Sequence, residues 1–294
     1  MDTTLRDNKK LDLLKQLLEQ VNLSDISSLR QNMLRILSLV HNPATTAKEL
    51  TDAIETDPPL CARILRVANS AYYGSAHRIG AIREAIIWLG YNTIKELALS
   101  QKICELFEHN GHIPNFSLKE LWHHSLLVAV CGKLICRREF RESGEEAFTA
   151  SLLHEIGLIV EAQFRNEAFA EVLQHSADVN LTEAEDRVLG YNHCDVGGAL
   201  ADDWGFPAFL AESIRRHHNP GGAGGANRRL AQTLFLADYL THRIHPQFND
   251  QPVENDELLQ ACLNELAIQP EALDLFQKEL EIERQSMVEK GLLA

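Results

Sequence analysis

Nowhere in its 294 residues does the chain carry an apolar run long enough to cross a bilayer, which takes about 20 consecutive residues. Its opening stretch, MDTTLRDNKK, is charged where a secretory signal needs an apolar core, so a cytoplasmic location is expected. Basic residues are also scarce: 28 Lys and Arg against 42 Asp and Glu leave a formal charge of −14, and the cations are scattered. That is the wrong sign and pattern for a phosphate backbone, so neither nucleic acid nor a membrane is an expected partner. C-x-x-C spacing is missing from the six cysteines, Cys61, Cys104, Cys131, Cys136, Cys194 and Cys262, several of which fall on apolar faces; they read as reduced structural thiols. Gly221–Gly225 lacks both a preceding strand and the Gly-Lys-Ser or Gly-Lys-Thr of a phosphate loop, and reads as a flexible loop placed to cover or uncover a site. Sustained period-two alternation is absent too, which excludes a sheet-based fold and leaves an all-α helical bundle.

What is present is 45% hydrophobic residues arranged at helical spacing. Leu11, Leu14, Leu17, Leu18 and Val21 form one stripe, and Leu34, Leu37 and Val40 a second that stops at Asn42-Pro43, where the residue before proline disfavours helix. Asp57 can cap a third helix with Pro58 in its first position, ending in Asn69-Ser-Ala-Tyr-Tyr-Gly74. That end is either a ligand or partner surface, or a helix terminus anchored by buried tyrosines. After Gly90, Asn92 or Thr93 can start a helix carrying Ile94, Leu97, Ala98 and Ile103. Residues 109–115 read as a connector, giving segments 1–23, 24–115, 116–245 and 246–294. The last holds two amphipathic helices that form a packed cap, with homodimerisation through exposed apolar faces as the alternative.

Seven side chains stand out in the third segment: His124, His154, Glu155, His193, His217, His218 and Asp238. His124 shares a face with Leu127, Val128, Cys131 and Ile135. His154 and Glu155 interrupt an almost continuously apolar helix over Phe148–Val160. His193 lines up with Val196, Gly197, Leu200 and Trp204 behind a capping-box pattern of Thr182 and Glu185, and Asp238 follows Leu230, Leu234 and Ala237. An unpaired buried polar group costs about 1–3 kcal/mol, and a domain has only about 5–15 kcal/mol in all. So many on inward faces point to a metal site fed by five helices. His123 would lie about 100° from His124 around the helix and reads as exposed or as a neighbour of the site. His41, His77, His109, His112, His175, His242 and His245 read as ordinary histidines.

At this point the chain resembles the HD superfamily of metal-dependent phosphohydrolases, and more closely its HDOD branch, the HD-related output domain of bacterial signalling proteins. One part of the likeness is Asp57-Pro58-Pro-Leu-Cys-Ala-Arg63-Ile-Leu-Arg-Val-Ala-Asn69-Ser70-Ala-Tyr72-Tyr73-Gly74. The other is the series Trp122-His-His-Ser125, Leu152-Leu-His-Glu-Ile-Gly157, His193-Cys-Asp-Val-Gly197, His217-His218 and Asp238. The resemblance implies an N-terminal HDOD helical half packed against an HD-like bundle, with a C-terminal helical extension. It also implies one ion held by His124, His154, Glu155 and Asp238, and a second by Glu155, His193, His217 and His218. Mixed imidazole and carboxylate donors suit Fe, Mn or Zn, and a pair of such ions can activate water against phosphorus.

The chain departs from that pattern in three places. Glu155 stands where the family has its aspartate, Leu158 where a lysine often follows the doublet, and no Gly-Tyr-Pro motif follows His217-His218. Cyclic-dinucleotide hydrolysis loses support accordingly. HDOD domains commonly lack most metal ligands and act as interaction modules. The expectation is therefore a regulatory module with one or two metal ions that binds a signalling protein. The alternatives are a phosphohydrolase acting on a nucleotide or phosphodiester, and, more weakly, a di-iron redox or oxygen sensor. No receiver, kinase or diguanylate cyclase signature is visible, so such an input is expected from a separate polypeptide.

Overall fold

Helices begin where capping side chains and apolar stripes coincide, and they follow one another almost without pause. The computed structural model describes residues 3–24, 26–74, 77–108, 113–176, 178–225, 227–245, 256–290 and 292–293. The first half contains α1 (Thr3–Asn22), α2 (Ile26–His41), α3 (Ala47–Glu55), α4 (Pro58–Ala68), α5 (Ile82–Leu89) and α6 (Tyr91–Cys104). The second contains α7 (Leu118–Ile135), α8 (Glu145–Leu153), α9 (Ile156–Phe164), α10 (Asn166–His175), α11 (Leu181–Val188), α12 (His193–Trp204), α13 (Ala208–Arg216) and α14 (Asn227–Ile244). Two more, α15 (Asp256–Leu266) and α16 (Ala272–Glu289), complete the chain. Among the described residues the only bridge of β type is an isolated pair, Ile113 and Phe116, so the fold is all α. No described helix is long and apolar enough to cross a membrane. His109, His112, the start of the expected connector and most of the Pro-containing loop after Ile244 lie outside the described residues.

The start of α4 matches its sequence signals, since the Asp57 carboxylate accepts from the Leu60 N–H and Pro58 occupies the first turn. Its far end, where a partner surface and a tyrosine anchor were both open, is tied down by Asn69. Asn69 donates to the Ile79 carbonyl at 2.9 Å and accepts from the Ile79 N–H at 2.8 Å, closing the intervening loop as a backbone pair would. Tyr72 is 45% exposed, and Lys290, just beyond α16, sits 4.3 Å from its ring centroid.

The stripe of α1 buries Leu14, Leu17 and Val21, and α1 packs across both α9 and α12. Cys262, Leu263 and Leu266 on α15 and Leu273, Phe276, Leu280 and Met287 on α16 are buried, with α16 lying on α7 and α14. The packing of α7 on α8 and α14, and of α12 on α13 and α9, draws α7, α9, α12, α13 and α14 around one centre.

Candidate metal centre

Continuous hydrophobicity over Phe148–Val160 predicts one helix, but the chain breaks there. α8 ends at Leu153, Glu155 adopts φ −94° and ψ 15°, and α9 starts at Ile156. The break turns two adjacent side chains toward the same interior point. Two glycines then let neighbouring helices close on it. A Cβ on Gly157 would stand 2.0 Å from the His193 carbonyl oxygen, and one on Gly197 would stand 2.7 Å from Ile214 Cγ2. Without side chains there, α9, α12 and α13 approach until their functional residues meet.

All seven residues singled out in the sequence lie together. His124 Nε2 is 2.9 Å from Asp238 Oδ1, and His154 Nε2 is 3.7 Å from the same oxygen and 3.6 Å from Glu155 Oε1. Glu155 Oε2 faces the other way, 3.4 Å from His193 Nε2 and 4.0 Å from His217 Nε2. His193 Nε2 in turn lies 3.2 Å from His217 Nε2 and 3.1 Å from His218 Nε2. His217 caps the end of α13 and His218 follows it. Six of the seven are between 0% and 5% exposed; His218 alone is half-buried.

Three residues of this centre escaped sequence reading. His242, taken as an ordinary histidine, is buried one turn beyond Asp238, with Nδ1 3.1 Å from Asp238 Oδ1; its i,i+4 spacing from the aspartate was the available signal. Glu185 is not a capping-box partner of Thr182. Asn180 caps α11 by accepting from the Glu183 N–H, and the fully buried Glu185 carboxylate instead receives His193 Nδ1 at 2.8 Å and the His193 backbone N–H at 3.1 Å. Cys194 Sγ lies 3.8 Å from both ring nitrogens of His217. His123 is buried, 3.9 Å from Glu120, and does not join the cluster.

The ring orientations are fixed from behind. His154 Nδ1 bonds the Ser151 carbonyl at 2.6 Å, His217 Nδ1 the Ile214 carbonyl at 2.7 Å, and His193 Nδ1 the Glu185 carboxylate. A ring that donates through Nδ1 turns its Nε2 lone pair to the centre, the arrangement of metal-ligating histidines with an outer carbonyl or carboxylate. Burial lowers His217, and the neighbouring rings of His218, His154 and His193 drive its pKa well below the usual value. Burial also lowers His124. For His193 burial is outweighed by Glu185, Cys194 and Glu155, which raise it well above normal, and for His154 it is outweighed by Glu155 and Asp238. Burial would raise Asp238, yet His242, His124 and His154 hold it well below the carboxylate range.

His124 Nε2, His154 Nε2, Glu155 Oε2 and Asp238 Oδ1 are buried with no aligned hydrogen-bond partner, although their separations of 2.9–3.7 Å are short. Buried imidazole nitrogens and carboxylate oxygens this close together are a donor set that could hold a cation. At about 1–3 kcal/mol each, four such orphans would cost as much as a domain's whole stability. The donors within mutual reach form three groups that could hold a metal: His124, His154 and Glu155; His124, Asp238 and His242; and His193, Cys194, His217 and His218.

Comparison with known proteins gives this architecture a family. A HDOD domain protein of unknown function from Geobacter sulfurreducens is 26% identical, with 97% of each chain covered and a TM-score of 0.77. A Shewanella amazonensis SB2B protein, described provisionally as a phosphohydrolase, is 25% identical over 90% of this chain and 93% of that one, with a TM-score of 0.68. An uncharacterized Treponema pallidum (strain Nichols) protein is 24% identical over 223 residues, which make up 74% of this chain and 42% of that longer relative. The family model of the HDOD domain matches residues 26–220, a span that holds the α4 signature and every donor up to His218. The chain belongs to the HDOD domain family.

Proposed function

We propose that the chain is a regulatory HDOD module whose second half is organised around one or two transition-metal ions, Fe, Mn or Zn, and whose output is binding to a signalling protein. The observation that carries this reading is the convergence of His124, His154, Glu155, His193, His217 and Asp238 in a pocket sealed to 5% exposure or less. A catalytic metal site keeps a position open to water or substrate, whereas this one is enclosed except beside His218. Outside, α5 and the α4 signature offer Ile87, Trp88 and Tyr72 at 79%, 49% and 45% exposure, a composition typical of protein-binding surfaces.

A second reading, metal-dependent phosphohydrolysis, is favoured by one feature. The two oxygens of Glu155 face different histidines, His154 and His193, as a carboxylate between two ions would. Metal ions bound there would supply Lewis acidity toward a phosphoryl group; Glu155 would orient them, and His218 marks the side from which a substrate could approach. The Shewanella relative is described provisionally as a phosphohydrolase.

The deciding experiment measures metal by mass spectrometry in protein purified without a metal-affinity tag, beside a His154→Ala/Glu155→Ala variant. About one or two ions per chain, lost in the variant, together with no turnover of nucleotides or phosphodiesters in added Mn or Fe, is the expected result. Turnover that disappears in the variant would establish the phosphohydrolase instead. Wild-type protein that stays metal-free after incubation with Fe, Mn and Zn would overturn both.

A further inference from the structure

We propose that Glu161 is a neutral carboxylic acid whose O–H donates to Glu185, a positioning residue that holds the Glu185–His193 clamp from the side away from the metal centre. Glu161 belongs to neither family motif and to none of the donor groups that could hold a metal. Yet both of its carboxyl oxygens are buried without a hydrogen-bond partner.

Three helices bring the group together. Gly157 lies against the backbone of His193, and Glu161 stands one turn further along α9, on the same face. From α11, Glu185 reaches the same spot, where its carboxylate accepts from the His193 backbone N–H at 3.1 Å and from Nδ1 at 2.8 Å. Glu161, Glu185 and His193 are all at 0% exposure. Two ionised carboxylates enclosed together repel one another, and one without a donor also bears the full cost of desolvation. A single proton removes both penalties, because it turns an acceptor facing an acceptor into a charge-assisted O–H···O⁻ bond.

The proton belongs on Glu161, since Glu185 already accepts two N–H bonds and such bonds favour the charged form. Burial and the like charge of Glu185 push the Glu161 carboxyl well above the usual range; His193 opposes them, and the direct bond to Glu185 adds to the rise. The Cys194 thiol and the buried Tyr191 hydroxyl are the other titratable groups beside it. The consequence falls on His193. With Glu185 held by Glu161, His193 keeps a proton on Nδ1 and directs Nε2 toward Glu155, His217 and His218. A carboxylate behind a ligating imidazole fixes its ring and tautomer, and here that carboxylate is itself fixed by an acid. This role rests on the reading that the centre binds metal, whereas the proton on Glu161 does not.

The test pairs infrared spectroscopy with metal retention in full-length protein near neutral pH. Wild type is expected to show a carboxylic-acid C=O stretch, above the amide band, that moves to lower frequency in protein prepared in D2O and is missing from Glu161→Gln. No such band in wild type, or the same band in Glu161→Gln, would overturn the assignment. Against a competing chelator, Glu161→Gln, whose amide N–H also donates to Glu185, is expected to keep zinc as wild type does. Glu161→Met, which keeps the length and loses the donor, should hold zinc at least about tenfold less tightly. Retention in Glu161→Met equal to wild type, or equal losses in both variants, would sink the positioning role. Wild-type protein that takes up no metal would remove the metal reading and that role with it, while the infrared band still decides the proton. Should Glu161→Met fail to fold, Glu161→Leu takes its place.

Discussion

Around Asp57–Gly74 the charged and amide side chains of the family signature find their partners inside the protein, the buried Ser70 hydroxyl being the exception. Lys102 lies 2.7 Å from both Asp57 and Glu105, Arg63 makes two bonds of 2.6 Å to Glu108, and Asn69 pairs with the backbone of Ile79. Around Glu155 the polar side chains are buried as deeply as any in the core, and His124 Nε2, His154 Nε2, Glu155 Oε2 and Asp238 Oδ1 crowd together at 2.9–3.7 Å without aligned hydrogen bonds. The first region is finished by its own residues, and its signature describes how a helix and a loop are tied together. The second gathers imidazole and carboxylate groups that could hold a metal. Two motifs in one family can therefore differ in kind, one tying a helix to a loop and the other gathering clustered donor groups.

That contrast can be broken most severely at Gly157. Gly157→Ala would drive a Cβ into the His193 carbonyl, a backbone clash with no flexible side chain to yield. A loss of about 4 kcal/mol or more is expected, in the range of severe overpacking, together with loss of bound metal. Thermal unfolding and metal content on the same sample check it; a variant of near-normal stability that keeps its metal would show that α9 and α12 do not need this contact.

Asp238→Asn probes the charge balance directly. In metal-free protein Asp238 has a folded pKa well below its usual value, because His242, His124 and His154 outweigh burial. A carboxyl depressed in this way contributes stability that is fully present above its unfolded pKa of about 3.9 and is lost as pH falls through the folded value. The variant should be about 3 kcal/mol less stable near neutrality and converge with wild type in strong acid. Melting curves of both metal-free proteins from about pH 7 to pH 2 test this, and a gap that does not close in acid would refute it.

Asn69→Ala sharpens the comparison from the other side. Losing the two bonds to Ile79 should cost about 1–2 kcal/mol with metal content unchanged. A fall in metal content would mean that the two regions are not independent.

Much of this arrangement could be read from the chain. Helical spacing and the Asp57-Pro58 start gave the all-α fold, and the seven inward-facing residues do meet. What could not be read depends on direction and not on composition. Hydrophobicity over Phe148–Val160 is the same whether the helix runs on or breaks at His154-Glu155, so the break was invisible. Glu185 fitted a local capping pattern, and its bond to His193 requires the turn between α11 and α12, which no spacing rule describes. Cys194 sits next to His193, about 100° around an ideal helix, and only the placement of His217 and His218 beyond α13 brings that thiol into the cluster. The sequence left open whether the tyrosines of the signature anchor the helix end or face a partner; in the structure Tyr72 is exposed, Tyr73 is half-buried against the core, and Asn69 ties the end to Ile79.

The position of α1 has a consequence for the order in which the protein is made. Its buried residues Leu14, Leu17 and Val21 pack across α9 and α12, and Asn22 bonds Asp203 at a separation of 181 residues. At a synthesis rate of about 5–20 residues per second, α1 leaves the ribosome about ten to forty seconds before α12 exists to receive it. A helix translated well ahead of its docking partners thus docks late, and its apolar stripe must wait, shielded by α2 or by a chaperone, until the helices that carry Glu155 and His193 have emerged.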